Sequence, residues 1–310
     1  MINIEFAPLQ GYTDAAYRYW HNKLIGGVSC YYSPFIRVEK SDIRAKDLRD
    51  ILPENNEGLN FVPQIIVNGK EELDFLTSKI RDLGYKRIDV NLGCPFPLQT
   101  KKGRGSALLS SPDKIKEVMG AITANDDINY SVKMRLGMSN VEEFYPLINI
   151  INSTSLHHVA LHPRVASQQY KGNVDMLSFE RIANEIRHPL IYNGDITNLD
   201  GINNIESQYS TLSAIMIGRG LLADPCIAYE YGQNIQLSSA QKLSKILDLH
   251  EHLFEHYSNR LQGDSQLLIK MKTFWEYLEP QIGRKSAKLI KKTINLTKYD
   301  IAVSSISCDD

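Results

Sequence analysis

Cysteine is scarce and scattered: Cys30, Cys94, Cys226 and Cys308 are the only four in a chain of 310 residues. They form no Cys-x-x-Cys pair and no Cys/His cluster with zinc spacing. That argues against a disulfide framework and a structural metal, and for a reducing cytoplasm. Long apolar runs are lacking too. No stretch approaches the roughly 20 residues of a transmembrane helix, so no membrane span is expected. The start, Met1-Ile2-Asn3-Ile4-Glu5-Phe6, has neither the basic residues nor the apolar stretch of a signal peptide. There is no internal repeat and no low-complexity tract.

What is there is the composition of a globular protein, 43% hydrophobic and 23% charged. The net charge of −1 hides an asymmetry. Arg260 to Lys298 holds nine Lys/Arg against three Asp/Glu, a balance of +6, which leaves 26 basic and 33 acidic residues elsewhere. A basic C-terminal stretch on an otherwise acidic chain suits a polyanionic partner, although a solvated helix face gives the same pattern.

Up to about residue 233, short apolar runs alternate with helical patterns. The expected strands are Ile4–Pro8, Cys30–Phe35, Val62–Val67, Arg87–Asn91, Ser131–Arg135, His158–His162, Leu190–Asn193 and Ala214–Gly218. The expected helices are Asp14–Leu24, Ser41–Leu52, Lys70–Leu83, Pro112–Thr123, Val141–Asn152, Asp175–Ile186, Leu199–Tyr209 and Pro225–Gln233. Unalternating apolar strands separated by helices call for a parallel sheet covered on its outer face. The fold class is therefore α/β, with the strand count and length of a (β/α)8 TIM barrel over residues 1–237. A doubly wound sheet is disfavoured, because no Gly-x-Gly-x-x-Gly follows the first strand. After Leu237 the strand signal stops. Helices are expected over Ala240–Asn259, over Ser265–Glu279 (stopped by Pro280) and over Gly283–Leu296. The last carries Ala287, Ile290 and Ile294 inward, with Arg284, Lys285, Lys288, Lys291 and Lys292 outward. Residues 238–310 thus read as a small all-helical C-terminal domain with a basic surface.

Function in such a barrel gathers at the C-terminal ends of the strands. The polar residues there are Gln64, Asn91 with Cys94, Lys133 with Arg135, His162 with Arg164, Asn193-Gly194-Asp195 and Gly218-Arg219-Gly220. Cys94 lies in a Gly/Pro turn just past a strand, the place for an exposed, positioned thiol rather than a packed one. Lys133 sits in an apolar strand, where a cation is expensive without a partner or ligand. The last two clusters follow the seventh and eighth strands, where this fold commonly holds phosphate. Singly each has a bland reading; together they converge on one mouth.

With these residues assembled, the chain resembles the tRNA-dihydrouridine synthase family. The matching elements are Ala7-Pro8-Leu9-Gln10-Gly11-Tyr12-Thr13-Asp14, Asn91-Leu92-Gly93-Cys94-Pro95, Gly105-Ser106-Ala107-Leu108-Leu109, Val132-Lys133-Met134-Arg135-Leu136-Gly137, His162-Pro163-Arg164, Tyr170-Lys171-Gly172, Asn193-Gly194-Asp195-Ile196 and Gly218-Arg219-Gly220. The resemblance implies an FMN-bound barrel that reduces the 5,6 double bond of uridine in tRNA, with NADPH as the expected reductant and NADH as a second choice. It implies that Pro8, Leu9, Gln64, Lys133, His162, Asn193, Gly194, Asp195, Gly218 and Arg219 bind the flavin, and that Cys94 donates a proton to C5 of the uracil. Asn91, Arg135, Arg164, Lys101, Lys102, Lys288, Lys291 and Lys292 are the expected substrate contacts. The partner is tRNA, and a monomer is expected. One departure stands out: where relatives carry Lys shortly after Gly-Cys-Pro, this chain has Phe96-Pro97-Leu98, with Lys101, Lys102 and Arg104 coming later.

Three rival readings use the same residues. Flavin barrels acting on small dihydropyrimidines typically carry Asn-x-Ser-Cys-Pro, whereas this chain has Gly93 before the cysteine. A tRNA-binding factor without catalysis leaves Cys94 and Lys133 unexplained. A sugar-phosphate isomerase on the same fold accounts for the phosphate end alone.

Overall fold

The computed structural model describes residues 1–307, so Cys308 lies outside the described residues. Nine parallel strand segments form the main sheet. They are β1 (Asn3–Phe6), β2 (Cys30–Tyr32), β3 in two pieces (Phe61–Val62 and Gln64–Ile65), β4 (Arg87–Leu92), β5 (Asn129–Arg135), β6 (Val159–His162), β7 (Leu190–Tyr192) and β8 (Ala214–Ile217). The hydrogen-bonded order runs from Phe61–Val62 through β2, β1, β8, β7, β6, β5 and β4 to Gln64–Ile65. Its two ends are halves of one strand, and the barrel closes at Pro63. Proline has no N–H to give the ladder, which is why the single strand expected over Val62–Val67 is broken there. Its carbonyl still accepts the Asp89 N–H at 2.9 Å.

Side-chain alternation sorts the core into two layers. Ile4, Phe6 and Tyr31 point outward into the large cluster under the helices. Ala7, Cys30, Tyr32, Val62, Ala160, Ile191, Ala214 and Met216 fill the barrel. Six of the expected barrel helices form within a residue or two of their expected ends: Ala15–Leu24, Lys70–Asp82, Pro112–Ala124, Met176–Glu185, Leu199–Gln208 and Ile227–Gln233. Asp14 caps the first by accepting the Tyr17 N–H.

Elsewhere the structure departs from expectation. Within Ser41–Leu52 the helix is only Ala45–Asp50, because Lys40 and Ser41 adopt positive φ and turn a two-strand hairpin, Val38–Glu39 with Asp42–Ile43. Val141–Asn152 is a 3-10 turn followed by the helix Tyr145–Asn152. Beyond Ser238, whose hydroxyl accepts from Gln241 N, the described residues form four helices rather than three: Ser239–Ser258, Asp264–Phe274, Glu279–Lys292 (kinked at Gly283) and Leu296–Ser304. Pro280 does not stop a helix. It sits in the single turn 279–282, where its missing N–H has no intrahelical partner to lose. Gly283 at φ +76° breaks that turn from the helix that continues to Lys292, close to the start expected at Gly283. Thr293 leaves the helix in an extended conformation, and Ile294, expected inward, is 74% exposed. The helical region is bound to the barrel by Lys242, which ion-pairs with Asp224 and Glu230, and by Tyr257 and Lys270, which both contact Asp14. No helix among the described residues is long and apolar enough to cross a membrane.

Candidate active site

A cavity of about 770 Å³ opens at the C-terminal ends of the strands, within the size range of small-molecule sites. It takes Pro8 and Leu9 from the loop after β1, and Asn91 and Cys94 from the end of β4 and its loop. Lys133 and Arg135 come from β5, His162 and Arg164 from β6 and its loop, Asn193 to Asp195 from the loop after β7, and Gly218 with Arg219 from that after β8. These residues were expected at one mouth, and the fold brings them there. Gln64 is placed differently. It is fully buried and does not line the cavity. Lys101 and Lys102 are exposed beside the short helix Pro97–Thr100, and Lys288, Lys291 and Lys292 are exposed on Glu279–Lys292; all five lie outside the cavity wall.

Cys94 is held by its backbone. The Asn91 side-chain oxygen accepts the N–H groups of Gly93 (3.1 Å) and Cys94 (2.9 Å), closing the turn that ends β4. The Cys94 carbonyl accepts both the N–H and the hydroxyl of Ser106, at 3.2 and 2.9 Å. Between them sits Gly105 at φ +62°, where an added Cβ would stand 2.9 Å from that same carbonyl. The Gly-Ser pair therefore serves to let a second loop close under the cysteine, a role the motif alone did not reveal. Arg104 ion-pairs with Glu72 and donates to the Val38 carbonyl, so this cation anchors the loop instead of facing a ligand. Cys94 is positioned as expected but not exposed as expected: it is 7% exposed and packs with Phe35 and Ile66, because the Gly105-Ser106 loop closes under it, while it still lines the cavity. Burial pushes its thiol up, outweighing the Phe96 N–H and the nearby cations, so it stays protonated at neutral pH.

From β5, the neighbour of β4, round to the loop after β8, the wall is cationic. Lys133 Nζ donates to the Asn193 side-chain oxygen at 2.5 Å, and Asn193 Nδ2 donates to the Met216 carbonyl at 2.8 Å. Arg135 donates to the Val165 carbonyl. Arg164 and Arg219 both pair with Asp195. Thus Asp195 absorbs two arginines, while Lys133 and Arg135 hydrogen-bond to neutral oxygens. Burial, and then Arg135, lowers the Lys133 pKa to about 8. His162 is neutral, driven well below its usual value by burial and by these cations. Arg164 Nη1 lies 3.2 Å from His162 Nε2. Arginine only donates, so Nε2 accepts and the ring proton sits on Nδ1.

The loops after β7 and β8 interlock. A Cβ on Gly220 would stand 2.0 Å from the Ile196 carbonyl, so glycine is required for Gly218-Arg219-Gly220 to lie against Asn193-Gly194-Asp195-Ile196. Two further features of the mouth had no role in the sequence reading. The Tyr170 ring lies under Arg219 (4.4 Å) and near Arg135 (5.3 Å). From the helical region Glu276 and Tyr277 complete the wall, and Glu276 accepts the Tyr12 hydroxyl proton at 2.7 Å. Only the position of Tyr170, in Tyr-Lys-Gly, hinted at a site; Tyr12 to Glu276 spans most of the chain.

Buried cations lacking a carboxylate, set among apolar walls, fit an anionic ring-bearing ligand such as a flavin nucleotide. No group of three or more His, Cys, Asp or Glu placed to hold a metal occurs among the described residues.

Comparison with known proteins points the same way. The family model of dihydrouridine synthase (Dus) matches residues 5–299. A "probable tRNA-dihydrouridine synthase" of Staphylococcus epidermidis is 26% identical over 258 residues, 81% of this chain and 77% of that protein. The tRNA-dihydrouridine synthase B of Vibrio cholerae is 25% identical over 285 residues, 91% of this chain and 84% of that one. Among solved structures, a variant of NCR from Zymomonas mobilis superposes with a TM-score of 0.55 at 13% identity, over 76% of this chain and 88% of that one. Morphinone reductase gives 0.50 at 11% identity, over 76% and 87%. These last two show a shared barrel fold.

Proposed function

The chain belongs to the dihydrouridine synthase family, and from that premise we propose that it reduces the 5,6 double bond of uridine in tRNA. It does so with FMN lying across the barrel mouth and NADPH as reductant, NADH being the alternative donor. A protonated thiol and a set of buried cations lining one cavity carry this reading. Pro8 and Leu9 supply the apolar face for the ring; Lys133, His162 and Asn193 meet its polar edge; Gly194, Gly218 and Arg219 take the phosphate. Asp195 acts by aiming Arg219 and Arg164, since a carboxylate against phosphate is repulsive. Gln64 acts through Asn91 rather than by touching the ligand.

Bound there, FMN supplies the hydride that uracil C6 requires. The chain supplies the rest. Cys94 holds the proton for C5, and its raised pKa keeps that proton in place until the base accepts it. Asn91 has one amide hydrogen left after its bond to Gln64, which is free to meet the uracil edge. Lys133 offsets the negative charge that hydride transfer requires nearby. Arg135, buried in the cavity wall, is kept as a substrate contact, whereas Arg164, expected as one, is 1% exposed and engaged by Asp195, His162 and the Gly172 carbonyl, so it positions the loops instead. The target uridine must be unstacked, at a cost of a few kcal/mol, which phosphate contacts from Lys101, Lys102, Lys288, Lys291 and Lys292 offset. A monomer in a reducing cytoplasm, with residues 238–310 as the RNA-recognition unit, is the form this reading uses.

Two measurements test it. The purified protein should absorb as a flavoprotein, and tRNA from cells lacking it should lose dihydrouridine at defined positions. Cys94→Ala should keep the flavin and lose dihydrouridine formation by about 10²- to 10⁴-fold. Full turnover by that variant removes the proton-donor role.

A further inference from the structure

Phe96 stands two residues beyond Cys94 and lines the same cavity, yet it is 54% exposed. Among the described residues it belongs to no apolar core cluster and no aromatic pair. Its backbone is nevertheless fixed. Pro95 and Pro97 flank it, and its carbonyl accepts the N–H groups of Gln99 (2.8 Å) and Thr100 (3.0 Å). Gln99 is buried and accepts in turn from Lys102 and Arg104. The backbone under the ring is thus fixed, and the fold gives the ring no apolar cluster or aromatic partner to pack on. Beside it Leu98 is 80% exposed, and Lys101 and Lys102 follow within a turn, also exposed.

An exposed aromatic ring followed by basic residues, on a backbone that gains no freedom when unbound, is the chemistry of a nucleobase-stacking platform. We propose that Phe96, backed by Leu98, stacks on the base next to the target uridine and occupies the stacking space the flipped uridine leaves. Lys101 and Lys102 hold the adjoining phosphates. The occupant is RNA, because the patch is continuous with the cavity that holds Cys94 and because its polar neighbours are cationic. The inference rests on the RNA reading above and gives the Phe96-Pro97-Leu98 segment a purpose. Affinity forgone where relatives place a lysine is recovered by stacking, which salt does not screen.

The test uses the full-length flavin-loaded protein with unmodified tRNA transcript. Phe96→Ala should raise KM and weaken tRNA binding by roughly 5- to 150-fold, the range for removal of one base–aromatic stack. The slope of log affinity against log salt should stay that of the wild type. Phe96→Trp should restore binding, and Lys101→Glu with Lys102→Glu should reduce the slope instead. An unchanged melting temperature shows that Phe96→Ala is folded. Wild-type protein that forms no dihydrouridine sinks the proposed function itself. Wild-type turnover with an equally active Phe96→Ala variant sinks only the platform. So does a Phe96→Ala variant that turns a dimer into a monomer, since the patch would then be a protein interface.

Discussion

Asn91 donates its side-chain amide to Gln64 Oε1 at 2.8 Å, and Gln64 Nε2 donates to Asp89 at 2.7 Å. Ser131 donates to the other Asp89 oxygen at 2.6 Å. A chain of hydrogen bonds thus runs from a fully buried carboxylate in the barrel to the turn that carries Cys94. Gln64→Leu should leave both ends short of a partner. The expected result is a melting-temperature drop equivalent to about 1–3 kcal/mol, together with reduced dihydrouridine formation. Wild-type values of both would show that Asn91 needs no anchor below it.

Much of this was legible from residue order alone, for a physical reason. A strand buried on both faces must be apolar throughout, so the barrel strands, the odd cation Lys133 within one of them and the strand-end positions of Cys94 and Arg219 followed from local pattern. What was not legible depends on contacts distant in sequence. Nothing near Gln64 tells that Asp89 will satisfy it, and nothing near Tyr12 tells that Glu276 will. The helix Leu296–Ser304 was missed because only Tyr299 and Ala302 are buried on it, too few to mark a stripe. Ile294 was misplaced because the helical period was carried past Lys292, where the chain turns extended at Thr293.

Lys133 makes flavin binding pH-dependent. Burial and Arg135 bring its pKa to about 8, so the free protein loses this cation as pH rises through that value. An anionic ligand favours the charged form, and its affinity should fall progressively above pH 8. Lys133→Met should bind more weakly at pH 7 and show a flatter profile. Titrating apoprotein with FMN from pH 7 to 10 measures both. A wild-type affinity constant across that range would remove Lys133 from the flavin site.

The helix Glu279–Lys292 presents Lys288, Lys291 and Lys292 to solvent, with Ile282, Ser286 and Ile290 turned inward. Reversing the three lysines to Glu should leave the fold and the flavin in place, since none lines the cavity or is buried. Binding of tRNA should weaken most at low salt, and the salt slope should fall by about one for each phosphate that is no longer neutralised. An unaltered slope would mean that this face does not touch RNA.

Inside the barrel, Glu5 accepts the Tyr32 hydroxyl proton at 2.7 Å, and Tyr32 lies 3.4 Å from His158 Nε2. Burial raises Glu5 from an ordinary 4.5 to about 7, despite the Tyr32 bond, and lowers His158 to about 3. The two act with opposite sign. Between pH 4.5 and 7 the folded protein keeps a proton on Glu5 that the unfolded chain has released, so this group makes stability fall as pH rises. His158 does the reverse between about 3 and 6.5, where only the unfolded chain binds its proton. The wild-type curve therefore mixes both, and a difference measurement is needed. Glu5→Gln keeps an acceptor for Tyr32 and removes the charge. It should match the wild type near pH 4.5 and exceed it at pH 8, by up to about 3 kcal/mol in denaturant unfolding. If the two curves stay parallel from pH 4.5 to 8, Glu5 is ionised in the folded barrel and the closed, dry interior is wrong.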